Sequence, residues 1–139
     1  MESTSGTERE FAEFLWKNVR ADFRERYEVG DGTLNLLFKW GEGEPQIYLC
    51  SHMDTVPPYI SPTFRDIKAG DRLPDGKIAK QDDILITGRG SCDAKGQIFA
   101  MLEACLSVDL ERANGTLGLE TCNPLRDGKS SDCTSSRDL

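Results

Sequence analysis

His52 is the only histidine of the chain, and it sits in IYLCSHMDTVPP, where a carboxylate follows two residues later at Asp54. In a strand, residues two apart share a face. Asp54 can therefore accept the imidazole's spare N–H, fix its tautomer and raise its basicity toward a metal ion. A second stretch, ITGRGSCDAKGQIF, offers Asp93. Its glycines Gly88, Gly90 and Gly96 permit left-handed backbone or close approach, which suits a loop that must aim one carboxylate at a fixed point. Each stretch also has a plainer reading. His52 then becomes a partly buried histidine bonded to a neighbouring acid, and Asp93 the N-cap of the helix that follows it. The glycine spacing fits neither a dinucleotide fingerprint nor a P-loop, and Lys95 reads as a surface lysine.

The elements that must position these residues follow from periodicity. Phe11, Phe14, Leu15, Val19 and Phe23 recur at helical spacing, predicting an amphipathic helix over 8–26 that Thr7 and Glu10 open as a capping box. After the turn signal at Gly30-Asp31-Gly32, TLNLLFKW reads as a strand and GEGEP breaks it. QIYLCSH, residues 46–52, is a second strand, apolar on both faces and so expected inside a sheet covered on both sides. Pro57 and Pro58 end it. Residues 53–70 read as a loop, Leu73-Pro74-Asp75-Gly76 as a turn, and KIAK and DILITG as short extended runs. Ile98, Met101, Leu102, Cys105 and Leu106 predict a second helix over 94–110. From about residue 120 the chain turns polar, and disorder is expected there because little apolar area offsets the entropy of ordering. The pattern is α/β, a mixed β-sheet flanked by helices. In such sheets ligands bind at the carboxyl ends of interior strands, which is where His52 stands.

Taken together, SHMDTVPP followed some forty residues later by GRGSCDAKG resembles the zinc metallopeptidases and amidohydrolases that include acetylornithine deacetylase, succinyl-diaminopimelate desuccinylase and aminoacylase. The resemblance spans residues 8 to about 118 and implies the N-terminal half of a catalytic domain, with 119–139 a divergent tail. It implies a co-catalytic site of two zinc ions, for which cobalt can substitute. His52 would bind one ion, Asp54 would orient His52 as its catalytic partner, and Asp93 would bridge both. It also implies a cis peptide bond between Asp93 and Ala94. Zinc lowers the pKa of a bound water to about 7 and polarises an amide carbonyl, so the implied reaction is hydrolysis of N-acyl amino acids or small peptides. Within that range the reading favours acetylornithine deacetylase-like chemistry. The complete family form would be a possible homodimer.

The chain departs from this pattern downstream. The family places adjacent glutamates, a further acid and a second histidine after the second helix; this chain has no Glu-Glu pair and no second histidine. General-base catalysis contributes about 10²–10⁴-fold, so a truncated, inactive product is expected. Two readings outside catalysis stay open: a fragment acting only by association with another chain, and an unrelated acidic binding domain. The formal charge of −7 argues against nucleic acid and anionic membranes as partners. No apolar run approaches the roughly 18–20 residues of a bilayer span. Five cysteines without a CxxC pair, and an opening MESTSGTERE without a signal-peptide core, point to a reduced, cytoplasmic setting.

Overall fold

A computed structural model of the chain describes residues 1–29, 33–109 and 115–122. The expected turn at 30–32 and the tail from 123 onward lie outside these residues. Helix α1 runs Arg9–Asn18 and buries Phe11, Ala12 and Leu15, the stripe that the apolar spacing demands. It stops well short of residue 26. Val19 is already extended, and Phe23–Glu28 forms strand β1. FRERYE satisfies a period of two as well as a helical period, and pairing with the next strand decides between them. Arg24 and Arg26 then lie over the Trp16 ring at 4.7 and 5.3 Å, fastening the strand to the helix. The Thr7–Glu10 capping box does not form. Glu8 is the N-cap, without a side-chain cap, and the Thr7 hydroxyl donates to the Thr4 carbonyl instead.

Strand β2 (Leu34–Trp40) pairs antiparallel with β1, and β3 spans Ile47–His52. The stretch read as a loop contains β4 (Thr63–Ile67), which pairs antiparallel with β5 (Asp83–Thr87). KIAK is no strand of its own; Ile78 makes one isolated bridge to Arg72. Helix α2 covers Lys95–Ser107, and β6 covers Leu117–Cys122. The chain is thus ordered as strand through Glu120 and Thr121, where polar composition had suggested disorder. Those residues are held by pairing on both sides: antiparallel to β2 and parallel to β3, in the sheet order β1-β2-β6-β3. The fold class is the expected one, a mixed sheet with helices packed on it.

Leu34, Leu36, Phe38 and Trp40 of β2 share one face, and with Leu119 and Met53 they join residues of α1 and α2 in a single core. Each large apolar side chain buried there contributes about 1.5–3 kcal/mol. Phe11 of α1 and Phe99 of α2 approach at 6.3 Å, so both helices cover the same face of the sheet. This corrects the expectation for β3. Its residues are not covered on both sides by the described elements, and Ile47 is 55% exposed. Phe14, Phe99 and Leu106 on the helices are exposed as well. The parallel β3–β6 pair ends at His52 and α2 begins at Lys95, so the carboxyl end of β3 meets the loop before α2.

Candidate functional site

The first wall of the site is the chain leaving β3. His52 Nδ1 lies 2.9 Å from Asp54 Oδ1 and 3.1 Å from the Asp54 carbonyl oxygen. The other oxygen of this carboxylate accepts the Ser5 hydroxyl at 2.7 Å. Beneath them Met53 is fully buried in the core. The strand's end is therefore nailed down by an apolar side chain, while the half-exposed His52 and the nearly buried Asp54 on either side of it face each other.

The second wall is the loop from Gly88 to Asp93. The Arg89 amide donates to the Ile60 carbonyl, and its side chain donates to Pro58. The Ser91 amide and hydroxyl both turn back to the Gly88 carbonyl. Gly88 has φ +142°, and a Cβ there would lie 2.9 Å from Pro62 Cα. A Cβ on Gly96 would collide with the Ser91 carbonyl oxygen, so only glycine lets the loop fold this tightly over the start of α2. The Asp93–Ala94 bond is cis, as the resemblance implied. Asp93 does not cap α2; the N-cap is Ala94, without a side-chain cap.

Across the gap, His52 Nε2 stands 3.0 Å from Asp93 Oδ1, although 41 residues separate them. An imidazole is thus gripped from both nitrogens by carboxylates. Burial works against charge on His52, but its hydrogen bonds to Asp54 and Asp93 and the Asp54 charge outweigh that and raise its pKa above the ordinary 6.5. The chemistry of this arrangement is specific. If Nδ1–H donates to Asp54, the Nε2 lone pair faces another lone pair on Asp93, and only a proton or a cation between them makes that contact favourable. The gap opens into a cleft of about 230 Å³ lined also by Thr55, Val56, Ile60 and Cys92.

His52, Asp54 and Asp93, predicted from two separate motifs, are therefore brought together, with Asp54 on the nitrogen that leaves Nε2 toward Asp93. Their donor atoms fit part of a metal site. Zinc takes about four ligands, and among the described residues no group of three or more His, Cys, Asp or Glu side chains is arranged to hold a metal ion. Sequence reasoning missed Ser5, since nothing in spacing or periodicity links position 5 to position 54. The cluster of small hydroxyl residues in STSGT was the one available signal.

No protein-family model matches the chain. A probable carboxypeptidase of Talaromyces marneffei is 34% identical over 128 residues, covering 85% of this chain and 28% of that protein. One from Aspergillus clavatus is 33% identical over 96 residues, 68% of this chain and 22% of that protein. The sequence likeness is to carboxypeptidases. The chain spans about a quarter of the length of these curated relatives. The crystal structure of a tripeptidase from Staphylococcus aureus matches 87% of the chain with a TM-score of 0.53 and 23% identity, and the chain covers 32% of that protein. That match shows the fold: this chain forms part of the architecture seen there. No described helix is long and apolar enough to cross a membrane.

Proposed function

We propose that the chain carries one side of a zinc site belonging to a hydrolase of amide bonds in short peptides or N-acyl amino acids. The observation that carries this reading is the 3.0 Å approach of His52 Nε2 to Asp93 Oδ1 while Asp54 holds Nδ1. His52 and Asp93 would be ligands, with Asp93 the bridge where two ions bind. When bound, zinc supplies a polarised carbonyl and a water acidic enough to attack at neutral pH. The chain's own contributions are narrower. Asp54 keeps the proton on Nδ1 and so keeps Nε2 available, and the glycine loop holds Asp93 opposite it. Val56 and Ile60 give the cleft an apolar side for a substrate's side chain or acyl group.

The names of the relatives favour peptides as substrates, and an N-acetyl amino acid, the acetylornithine deacetylase-like alternative, is the second class. Cobalt would serve in place of zinc. By itself this chain is proposed to bind metal without turnover, because its 139 residues hold one histidine and no paired glutamates to act as base. Purified chain titrated with zinc in a calorimeter, then assayed on dipeptides, tripeptides and N-acetyl amino acids, tests both parts. Binding that vanishes in His52→Ala and Asp93→Ala, with no hydrolysis, is the expected result. Zinc-dependent hydrolysis abolished by the same substitutions would overturn the inactivity; equal zinc binding by all three proteins would overturn the site. Association with another chain through the exposed helix faces is the second reading, favoured by Phe14, Phe99 and Leu106 standing in solvent.

A further inference from the structure

The first residues of the chain lie along the wall that carries His52 and Asp54. Thr4 forms a parallel bridge with Thr55. The Thr55 amide donates to the Ser3 carbonyl at 2.8 Å, and the Ser5 amide donates to the Thr55 carbonyl at 3.3 Å. The buried Ser3 hydroxyl donates to the Met53 carbonyl at 2.8 Å. Farther along, the Lys95 ammonium donates to the Met1 carbonyl at 2.7 Å, tying the same segment to the start of α2. This strap thus touches both sides of the site, and one of its side chains reaches the site's own atoms. The Ser5 hydroxyl donates to Asp54 Oδ2 at 2.7 Å while Asp54 Oδ1 faces His52 Nδ1 at 2.9 Å.

A carboxylate that must hold one imidazole tautomer cannot be free to rotate about its own bond. Asp54 is nearly buried, with 11% of its side chain exposed, and its two oxygens are engaged in different directions. We infer that Ser5 is a positioning residue: its hydroxyl locks the Asp54 carboxylate, which in turn keeps the His52 proton on Nδ1 and Nε2 open toward Asp93. The inference about metal rests on the zinc reading above, but the tautomer does not, because it belongs to the metal-free protein. Ser5 is itself at the surface, so its replacement removes one hydroxyl without disturbing the core.

The chain's single histidine makes the test direct, since every imidazole ¹⁵N signal belongs to His52. Spectra of the full chain without metal, recorded at alkaline pH where the imidazole is neutral, report which nitrogen carries the proton. Zinc affinity is then measured on the same samples. Wild type is expected to be protonated mainly at Nδ1. Ser5→Ala is expected to shift population toward Nε2–H and to weaken zinc binding about 3–10-fold, less than the roughly 10–100-fold produced by losing a partner that touches the ligand itself. Ser5→Thr, which keeps the hydroxyl, restores both. Thr7→Ala removes a strap hydroxyl bonded only within the strap, to Thr4, and leaves both unchanged. A Ser5→Ala spectrum identical to wild type overturns the inference. So does a loss in Ser5→Thr or Thr7→Ala equal to that in Ser5→Ala, since packing of the strap and not the hydroxyl would then be responsible. If wild type binds zinc no better than His52→Ala, the metal reading fails instead, and the tautomer comparison still decides the role of Ser5.

Discussion

The two carboxylates that flank His52 are held very differently. Asp54 is 11% exposed, spends one oxygen on the imidazole and the other on Ser5, and follows a methionine buried in the core. Asp93 is 80% exposed and stands at the end of a glycine-rich loop whose shape comes from backbone bonds and the Arg89 and Ser91 side chains, not from packing of the Asp93 side chain. The difference matches two tasks. A group that sets a tautomer must be immobile, whereas one that meets a cation must keep its oxygens toward the solvent-filled cleft. Rigidity on the Asp93 side has been moved from the residue to the turn that carries it.

The comparison can be broken most severely at that turn. Gly96→Ala places a methyl group against the Ser91 carbonyl, and it is expected to cost at least about 2–3 kcal/mol in urea unfolding, at the upper range for overpacked sites. On the other wall, Asp54→Ala leaves the Ser5 hydroxyl and His52 Nδ1 without their acceptor. That should cost about 1–3 kcal/mol of stability and lower zinc affinity about 10–100-fold. Asp93→Ala sharpens the contrast. Stability should stay within about 0.5 kcal/mol of wild type, as for other exposed positions, while zinc binding is lost. Equal destabilisation by the two aspartate substitutions would show that the walls are not differently built.

The smallest effect is on pH dependence. The folded chain raises the His52 pKa above its unfolded value, so the folded state binds this proton more tightly. The resulting stabilisation is fully present below about pH 6.5 and is lost as pH rises through the higher folded pKa. Metal-free chain should therefore have a slightly lower urea midpoint at pH 8 than at pH 6, and His52→Gln should remove that difference. Zinc competes with the same proton, so its affinity should move the opposite way and increase with pH.

Much of this site was legible because it is encoded locally. His52 and Asp54 are two residues apart, and the glycines around Asp93 announce a constrained loop. Their convergence was legible only through the family resemblance that the two motifs carry together, since neither stretch alone excludes a core histidine or a helix cap. Other features were hidden because tertiary pairing overrode local pattern. Phe23 continued a helical stripe on paper, yet its segment became a strand once β2 was available. Glu120 and Thr121 looked too polar to be ordered, yet two neighbouring strands supply their backbone partners. β3 looked interior by composition, and the described elements cover it on one face. Ser5 was invisible for a different reason: a hydroxyl that braces a distant carboxylate leaves no periodic trace.

The core of this account is that an imidazole and a carboxylate from distant parts of the chain serve one cation. ¹⁵N spectra of the lone histidine during a zinc titration test it most directly. Coordination should move the Nε2 resonance while Nδ1 keeps its proton, and Asp93→Ala should require far more zinc for the same change. An Nε2 signal that zinc leaves in place, or one that responds identically without the Asp93 carboxylate, would contradict it.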